Sequence, residues 1–374
     1  MEIRFSEDDS LREFSRLATE LGRLDHVESL LVLAGEGNGW TRAQTDPVLQ
    51  SLGIPLFGGI FPRIVHGPRA YERGFVVAGL PHRAEILCVP GLSDPGAIYE
   101  DVLESFAART ADQDGTLMVF VDGLSKRIAA LVEALFDMFG LGRNFIGGGA
   151  GSLSFRQFPC LITSSGLVED AAIVALLPAR SGVGVAHGWE VASAGMKATQ
   201  TDRNTILSLD WEPAAVRYME VVEAHSGQSF ADRDFFDLAK AYPFGINRLG
   251  GEVVVRDPLS TDGADGLVCV GEVPAGSFVH ILNGSSDSLI AAAGRARDLA
   301  LLDLPDATAA SELLVMDCIS RALFLGPRLT EELAVVAGSD GLFGAMTLGE
   351  IANSGKDYLE FFNKTTVAAL LCCE

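Results

Sequence analysis

Residues 117–123 read LMVFVDG, 145–151 read FIGGGAG and 171–177 read AAIVALL. The same three textures return in the same order at 313–319 (LLVMDCI), 342–348 (LFGAMTL) and 365–371 (TTVAALL). Two further pairs precede them: 76–80 (VVAGL) with 267–271 (LVCVG), and 85–91 (EILCVPG) with 278–284 (FVHILNG). Each segment alone is a generic buried strand, but five ordered matches with nearly constant separation point to an internal duplication. Residues 73–178 should then align on 265–371. A weaker echo, LLVLAGE, LFGG and VVAGL, runs through 30–80.

Between these segments the period changes to that of helices. Ile128, Leu131, Val132, Leu135 and Phe139 fall on one face of a helix over 126–139, with Ser125 placed to cap it. Similar stripes mark 98–109 and 288–303, and Pro213 opens a helix that reaches about Ala224. Residues 183–212 alternate like a hairpin with Asp202 to Asn204 in its turn. Runs such as IVALL and LLVM are apolar throughout and need cover on both faces. The expected fold is therefore α/β (mixed α+β), two related halves from an internal duplication with mixed sheets covered by helices, joined near residue 210.

The 374 residues are 48% apolar, enough to bury one large core or two ordinary ones. No apolar run approaches the roughly 20 residues of a membrane-spanning helix. The start, MEIRFSEDDS, lacks the marks of a secretory signal, so the expected location is the cytoplasm. A formal charge of −22 repels phosphate backbones and anionic lipid surfaces, so neither nucleic acid nor membrane is an expected partner. The six cysteines show no CxxC or metal-ligand spacing and read as buried thiols, with Cys372 and Cys373 the more exposed.

Searching for chemistry yields mostly exclusions. GEGNGW (35–40) and GGGAGS (147–152) both miss GxGxxG, and GxxxxGK[ST], GxSxG and HExxH do not occur. His187, in VGVAHGWE, sits where a strand end would face a pocket. Three polar groupings interrupt apolar runs: Asp317, Cys318 and Arg321; Thr347, Gly349 and Glu350; Asn363, Thr365 and Thr366. Such residues at neighbouring strand ends would bond one another or converge on a ligand. The expected arrangement pairs Arg321 with Glu350 on the wall of a pocket for a small polar molecule, with His187 near its rim. The N-terminal copy, with Ile60 to Val65 in place of the Thr and Glu, would have a drier counterpart.

GGGAGS (147–152), VGVAHGWE (183–190), LDWEPAAVRYME (209–220), VRDPLSTDGADGLVCVGEVPAGSFVHIL (255–282), VMDCISRALFLG (315–326), EEL (331–333), GLFGAMTLGEIA (341–352) and FNKTT (362–366) resemble the successive landmarks of the FIST sensory family. The resemblance covers most of the chain from about residue 25. It implies a FIST N-like domain over 1–210, a FIST C-like domain over 211–374, and a non-catalytic signalling module that binds a small ligand. The departure at FGGIFPRIV (57–65) puts an N-terminal ligand site in doubt. No cofactor is the first expectation. The alternative is a haem-based nitric-oxide sensor, as in one branch of the family, with His187 the candidate iron ligand. A second alternative is an enzyme with an unrecognised site, for which Cys318, Glu350 and His187 are the candidates. With no output segment recognised, the signal would pass through a partner protein such as a histidine kinase or a cyclic-dinucleotide enzyme.

Overall fold

The computed structural model describes residues 1–247, 253–305, 311–338, 341–353 and 358–373. Among them, strands form three six-stranded mixed sheets and an eight-stranded antiparallel one. The three mixed sheets have one plan. In the first, strands run in the order Glu2–Ser6, Phe75–Leu80, Ser29–Gly35, Leu56–Phe61; in the second, Glu85–Pro90, Ala171–Leu177, Thr116–Asp122, Phe145–Ala150; in the third, Arg180–Ala186, Thr366–Cys372, Glu312–Cys318, Leu342–Thr347. The last two strands of each quartet are parallel, and a helical crossover joins them: Arg42–Ser51, Ile128–Phe139, or Ile319–Leu325 with Leu329–Ala337.

The repeat therefore has a third copy: the echo at 30–80 is a complete unit. The strands of 116–177 and 312–372 correspond in order and direction, as expected. The two earlier matches do not. Phe75–Leu80 is a central strand of the first sheet, whereas Leu267–Val270 and Phe278–Asn283 belong to the eight-stranded sheet. The true counterpart of Glu85–Pro90 is Arg180–Ala186. Short strands rich in apolar residues look alike in sequence, so those two pairings were coincidences of apolar texture.

Each sheet is completed by a hairpin from another unit. Arg63–His66 and Arg69–Tyr71 of the first unit extend the third sheet, and Leu161–Thr163 and Gly166–Val168 of the second extend the first. Glu350–Ala352 and Glu360–Phe362 of the third extend the second. The exchange is cyclic and ties the units into one body. The strand that leads to each hairpin carries a glycine at the same register: Gly58 opposite Val32, Gly147 opposite Val119 and Gly344 opposite Val315. A Cβ on any of the three would lie 1.8 Å from that valine's carbonyl oxygen, so only glycine fits. These glycine-bearing strands meet in the middle, where inward-facing Phe57, Phe120, Ile146, Met316 and Phe343 join one shared core. Helices cover the outer faces, Glu100–Arg109 and Ile128–Phe139 over the second sheet and Ser286–Asp303 with Leu329–Ala337 over the third.

The eight-stranded sheet is an insertion between Arg180–Ala186 and Ser286–Asp303 of the third unit. Pairing of Phe244–Ile246 with Phe278–Asn283 closes it into a barrel, and Tyr218 and Val222 of the helix Ala214–Ser226 fill its separate core. The hairpin turn falls between Met196–Asp202 and Thr205–Leu209, with Arg203 at φ +53°. Ser125 is not a cap: the helix begins at Ile128 and the Ser125 hydroxyl donates to Asp170 instead. Cys373 is partly exposed, as expected, but Cys372 is buried and Cys88 is the exposed cysteine. No helix of the described residues is long and apolar enough to cross a membrane.

Candidate functional site

The polar groupings do converge, at the end of the third sheet. Register explains why only this unit carries them. Asp317, Thr347 and Thr366 occupy the positions held by Ala34, Phe61 and Phe75 in the first unit and Val121, Ala150 and Ala172 in the second. The first unit's counterpart is apolar and fully buried, as its Ile60–Val65 stretch implied.

Arg321, wholly buried, lies on the short helix after Glu312–Cys318 and faces inward. Its partner is Glu332, and this replaces the expected pairing with Glu350. Arg321 Nε donates to Glu332 Oε1 at 3.0 Å and lies 3.1 Å from Asp317 Oδ1, and Nη2 also reaches Glu332 Oε1. Nη1 donates to the His187 carbonyl at 2.6 Å, and Nη2 to that of Leu289 at 3.0 Å. The guanidinium thus pins the strand end at His187, the helix Ser286–Asp303 and the helix Leu329–Ala337 to one another. Glu350 is held elsewhere: Thr347 Oγ1 bonds its Oε1 at 2.7 Å and the Thr365 amide donates to its Oε2 at 3.3 Å.

Two carboxyls on one guanidinium, with Glu350 acting on Asp317 as a third, cannot all carry charge in a dry interior. Burial and the neighbouring Glu332 push Asp317 up to about 8, against the pull of Arg321. Burial and Asp317 hold Glu350 well above the usual carboxylate range. Burial and Arg321 lower His187 to about 4, and its Nδ1 accepts the Trp189 amide proton at 2.9 Å.

A cavity of about 740 Å³ lies in front of this network, between the barrel, the third unit's strand ends and the second unit's helix start. Of the expected site residues only Cys318 and Asn363 line it. His187, Asp317, Arg321, Thr347, Glu350 and Thr365 sit behind the wall as its support. Burial and Glu350 push the Cys318 thiol well above its usual value, so it remains protonated and is a poor nucleophile. No histidine is among the described residues on the wall, which leaves a haem in this cavity without the imidazole that His187 was to supply.

The wall's most informative residues are from the barrel and were missed in the sequence. Asp257, 1% exposed, accepts from Ser320 Oγ at 2.7 Å and lies 3.2 Å from Lys364 Nζ, all through Oδ2. Its Oδ1 has no partner, and neither do Nδ2 and Oδ1 of Asn363, itself 1% exposed. Lys364, at φ +52°, also donates to the Lys240 carbonyl at 2.8 Å and stands 5.1 Å from the Trp189 ring centroid. Beside Asp257, Arg256 clamps the barrel to the third unit's hairpin, donating to the Phe361 carbonyl at 2.9 Å and pairing with Glu360 at 3.1 Å.

Residues 42–212 match the FIST N domain and residues 214–353 match the FIST C domain. The chain belongs to the FIST family. FIST domains are sensory, signal-transduction modules. None of the curated proteins matches the sequence significantly. The boundary between the two FIST regions does not separate two bodies here: Arg63–His66 of the FIST N region pairs with Leu342–Thr347 of the FIST C region, and Thr205–Leu209 pairs with Leu267–Val270. The cavity lies across that division, with Gly123 to Phe155 from the FIST N region and Arg256 to Gly349 from the FIST C region.

Proposed function

We propose that this FIST protein is a non-catalytic sensor that takes a small polar ligand into the cavity between barrel and repeat units, and passes its state to a partner protein. The observation that carries this reading is the set of unpartnered, buried polar atoms on the cavity wall: Asp257 Oδ1 and both amide atoms of Asn363. Leaving such groups unmatched costs about 1–3 kcal/mol each, a penalty that a ligand or water removes. The Arg256 contacts to Glu360 and Phe361 supply a path by which occupancy would shift the barrel relative to the hairpin. Signalling components such as a histidine kinase or a cyclic-dinucleotide enzyme remain the partner class that the family implies.

A thermal-shift screen of small polar metabolites tests the reading. Wild-type protein should be stabilised by at least one compound, and Asn363→Ala, Asp257→Asn and the wall-filling Leu323→Trp should abolish that shift. A stabilising compound whose effect survives all three variants would place its site elsewhere. The absorption spectrum of the same preparation, with and without haemin, checks the haem alternative: a Soret band lost in His187→Ala would overturn the present reading in its favour.

A further inference from the structure

We propose that the ligand is an uncharged heterocycle presenting a cis-amide or amidine edge, of the nucleobase or lactam type, held edge-on by Asn363 with a further N–H on Asp257. This inference rests on the cavity reading above and gives the ligand a chemical class.

Charge narrows the choice first. The deep wall holds one carboxyl, Asp257, and Lys364 stands behind it as its counter-ion. Arg256 is already committed: Nε donates to the Glu272 carbonyl at 3.0 Å, Nη1 to the Val255 and Phe361 carbonyls, and Nη2 pairs with Glu360. The other cations among the described lining residues, Lys126 and Arg203, are exposed. No buried positive charge is left over for a carboxylate or phosphate, and the net charge of −22 opposes anions from a distance.

The hydrogen-bonding pattern narrows it further. Asn363, a lining residue, carries on its amide edge a donor at Nδ2 and an acceptor at Oδ1, and both are buried without partners. Such an edge closes two hydrogen bonds at once with a ring that carries N–H beside C=O or N–H beside N, the pairing by which asparagine reads an adenine edge. Two glycines flank that edge and leave it the room that a side chain would take. A Cβ on Gly271 would lie 3.2 Å from Asn363 Oδ1, and one on Gly349 3.1 Å from Nδ2. Asp257 is paired in register with Val270, the neighbour of Gly271, so its free Oδ1 belongs to the same end of the barrel. The remaining wall is largely apolar, with Phe236, Phe361, Leu323 and Leu348 available to the faces of a flat ring.

Isothermal titration with uracil, adenine and 2-piperidinone tests the class, with 1,3-dimethyluracil and UMP as comparators and amino acids and polyols as other polar probes. At least one of the first three should bind. Methylation of both ring nitrogens should abolish binding, UMP should bind more weakly than uracil, and Asn363→Ala and Leu323→Trp should each weaken binding at least about tenfold. Leu323 is partly exposed, so its variant keeps the test alive where Asn363→Ala fails to fold. Equal binding of dimethyluracil, or heterocycle binding that neither variant alters, overturns the edge-on assignment. Binding of an amino acid or polyol that depends on Asn363, with none of the heterocycles binding, overturns the class and leaves the sensory cavity standing. If no probe of either kind binds, both proposals fall.

Discussion

Lys364 and Asp257 meet 3.2 Å apart with almost no solvent exposure on either side chain, one from the bend that leads into the returning strand of the third repeat and the other from the inserted barrel. The pair joins the two bodies at the rear of the cavity. The charge on each is tolerated because the other is present, and the lysine gains further from the Lys240 carbonyl and the Trp189 ring.

Removing one member should therefore cost more than removing both. Lys364→Met leaves Asp257 buried without its counter-ion and should destabilise the protein by about 3–5 kcal/mol, whereas adding Asp257→Asn should recover much of that loss. Urea denaturation of wild type, the single variants and the double variant checks the coupling; strict additivity would show that the pair does not interact.

Glu332 and Glu350 should differ sharply. Glu332→Gln removes the charge that Arg321 pairs with and should cost about 3–5 kcal/mol. Glu350 is held as an acid well above the usual range, so Glu350→Gln removes no charge and loses one accepted hydrogen bond, and should cost only about 1–2 kcal/mol. Comparable losses for the two variants, measured in the same denaturation series, would contradict the assignment of charge within the cluster.

Stability should also depend on pH through two groups acting in opposite directions. Asp317 has its folded pKa raised to about 8, above its unfolded value, so the folded state holds the extra proton and stability falls as pH rises toward and through 8. His187 is lowered to about 4, so the folded state resists protonation and stability falls as pH drops from about 6.5 toward 4. Between about pH 4 and 6.5 the two slopes oppose and nearly cancel, so melting temperatures should be level there and fall between about 6.5 and 8. Asp317→Asn should remove that fall and expose the His187 slope below about 6.5.

The three glycines at matched register should be equally intolerant. Gly58→Ala, Gly147→Ala and Gly344→Ala each drive a Cβ toward a carbonyl oxygen of the adjacent parallel strand and should cost about 3 kcal/mol or more. Gly142→Ala, at an exposed glycine with its nearest neighbour 3.7 Å away, is the near-neutral control. A tolerated change at Gly58 alone would show that the first unit is not built like the other two.

Some of this was legible without coordinates because it is local. The helical stripe of Ile128, Leu131, Val132 and Leu135 marks one face and is found there. The strands at 117, 145 and 171 and their counterparts at 313, 342 and 365 were recognisable from apolar runs and glycine placement. The polar interruptions at Asp317, Thr347, Glu350 and Thr365 announced a buried network, since polar groups in apolar strands must find partners. The texture of LLVLAGE and LFGG held the third repeat too, but FGGIFPRIV lacks the Thr and Glu of the last copy, and this hid the match. Asp257 and Lys364 escaped notice for a different reason. Charged residues are mostly on surfaces, and nothing within a few positions of either tells of the partner more than a hundred residues away.

The sequence by itself determined several of the strands and helices, that a unit repeats, and that polar groups interrupt the apolar runs near the C-terminus. Those properties follow from periodicity and side-chain chemistry within one element. Tertiary structure alone decided that each hairpin crosses to another unit's sheet, that Arg321 meets Glu332 and not Glu350, and that Asn363 and Asp257 front a cavity while His187 lies behind it. Each of these depends on which of several equally apolar edges a strand pairs with. That choice is made by the packing of the whole core, because main-chain hydrogen bonding is the same along every edge.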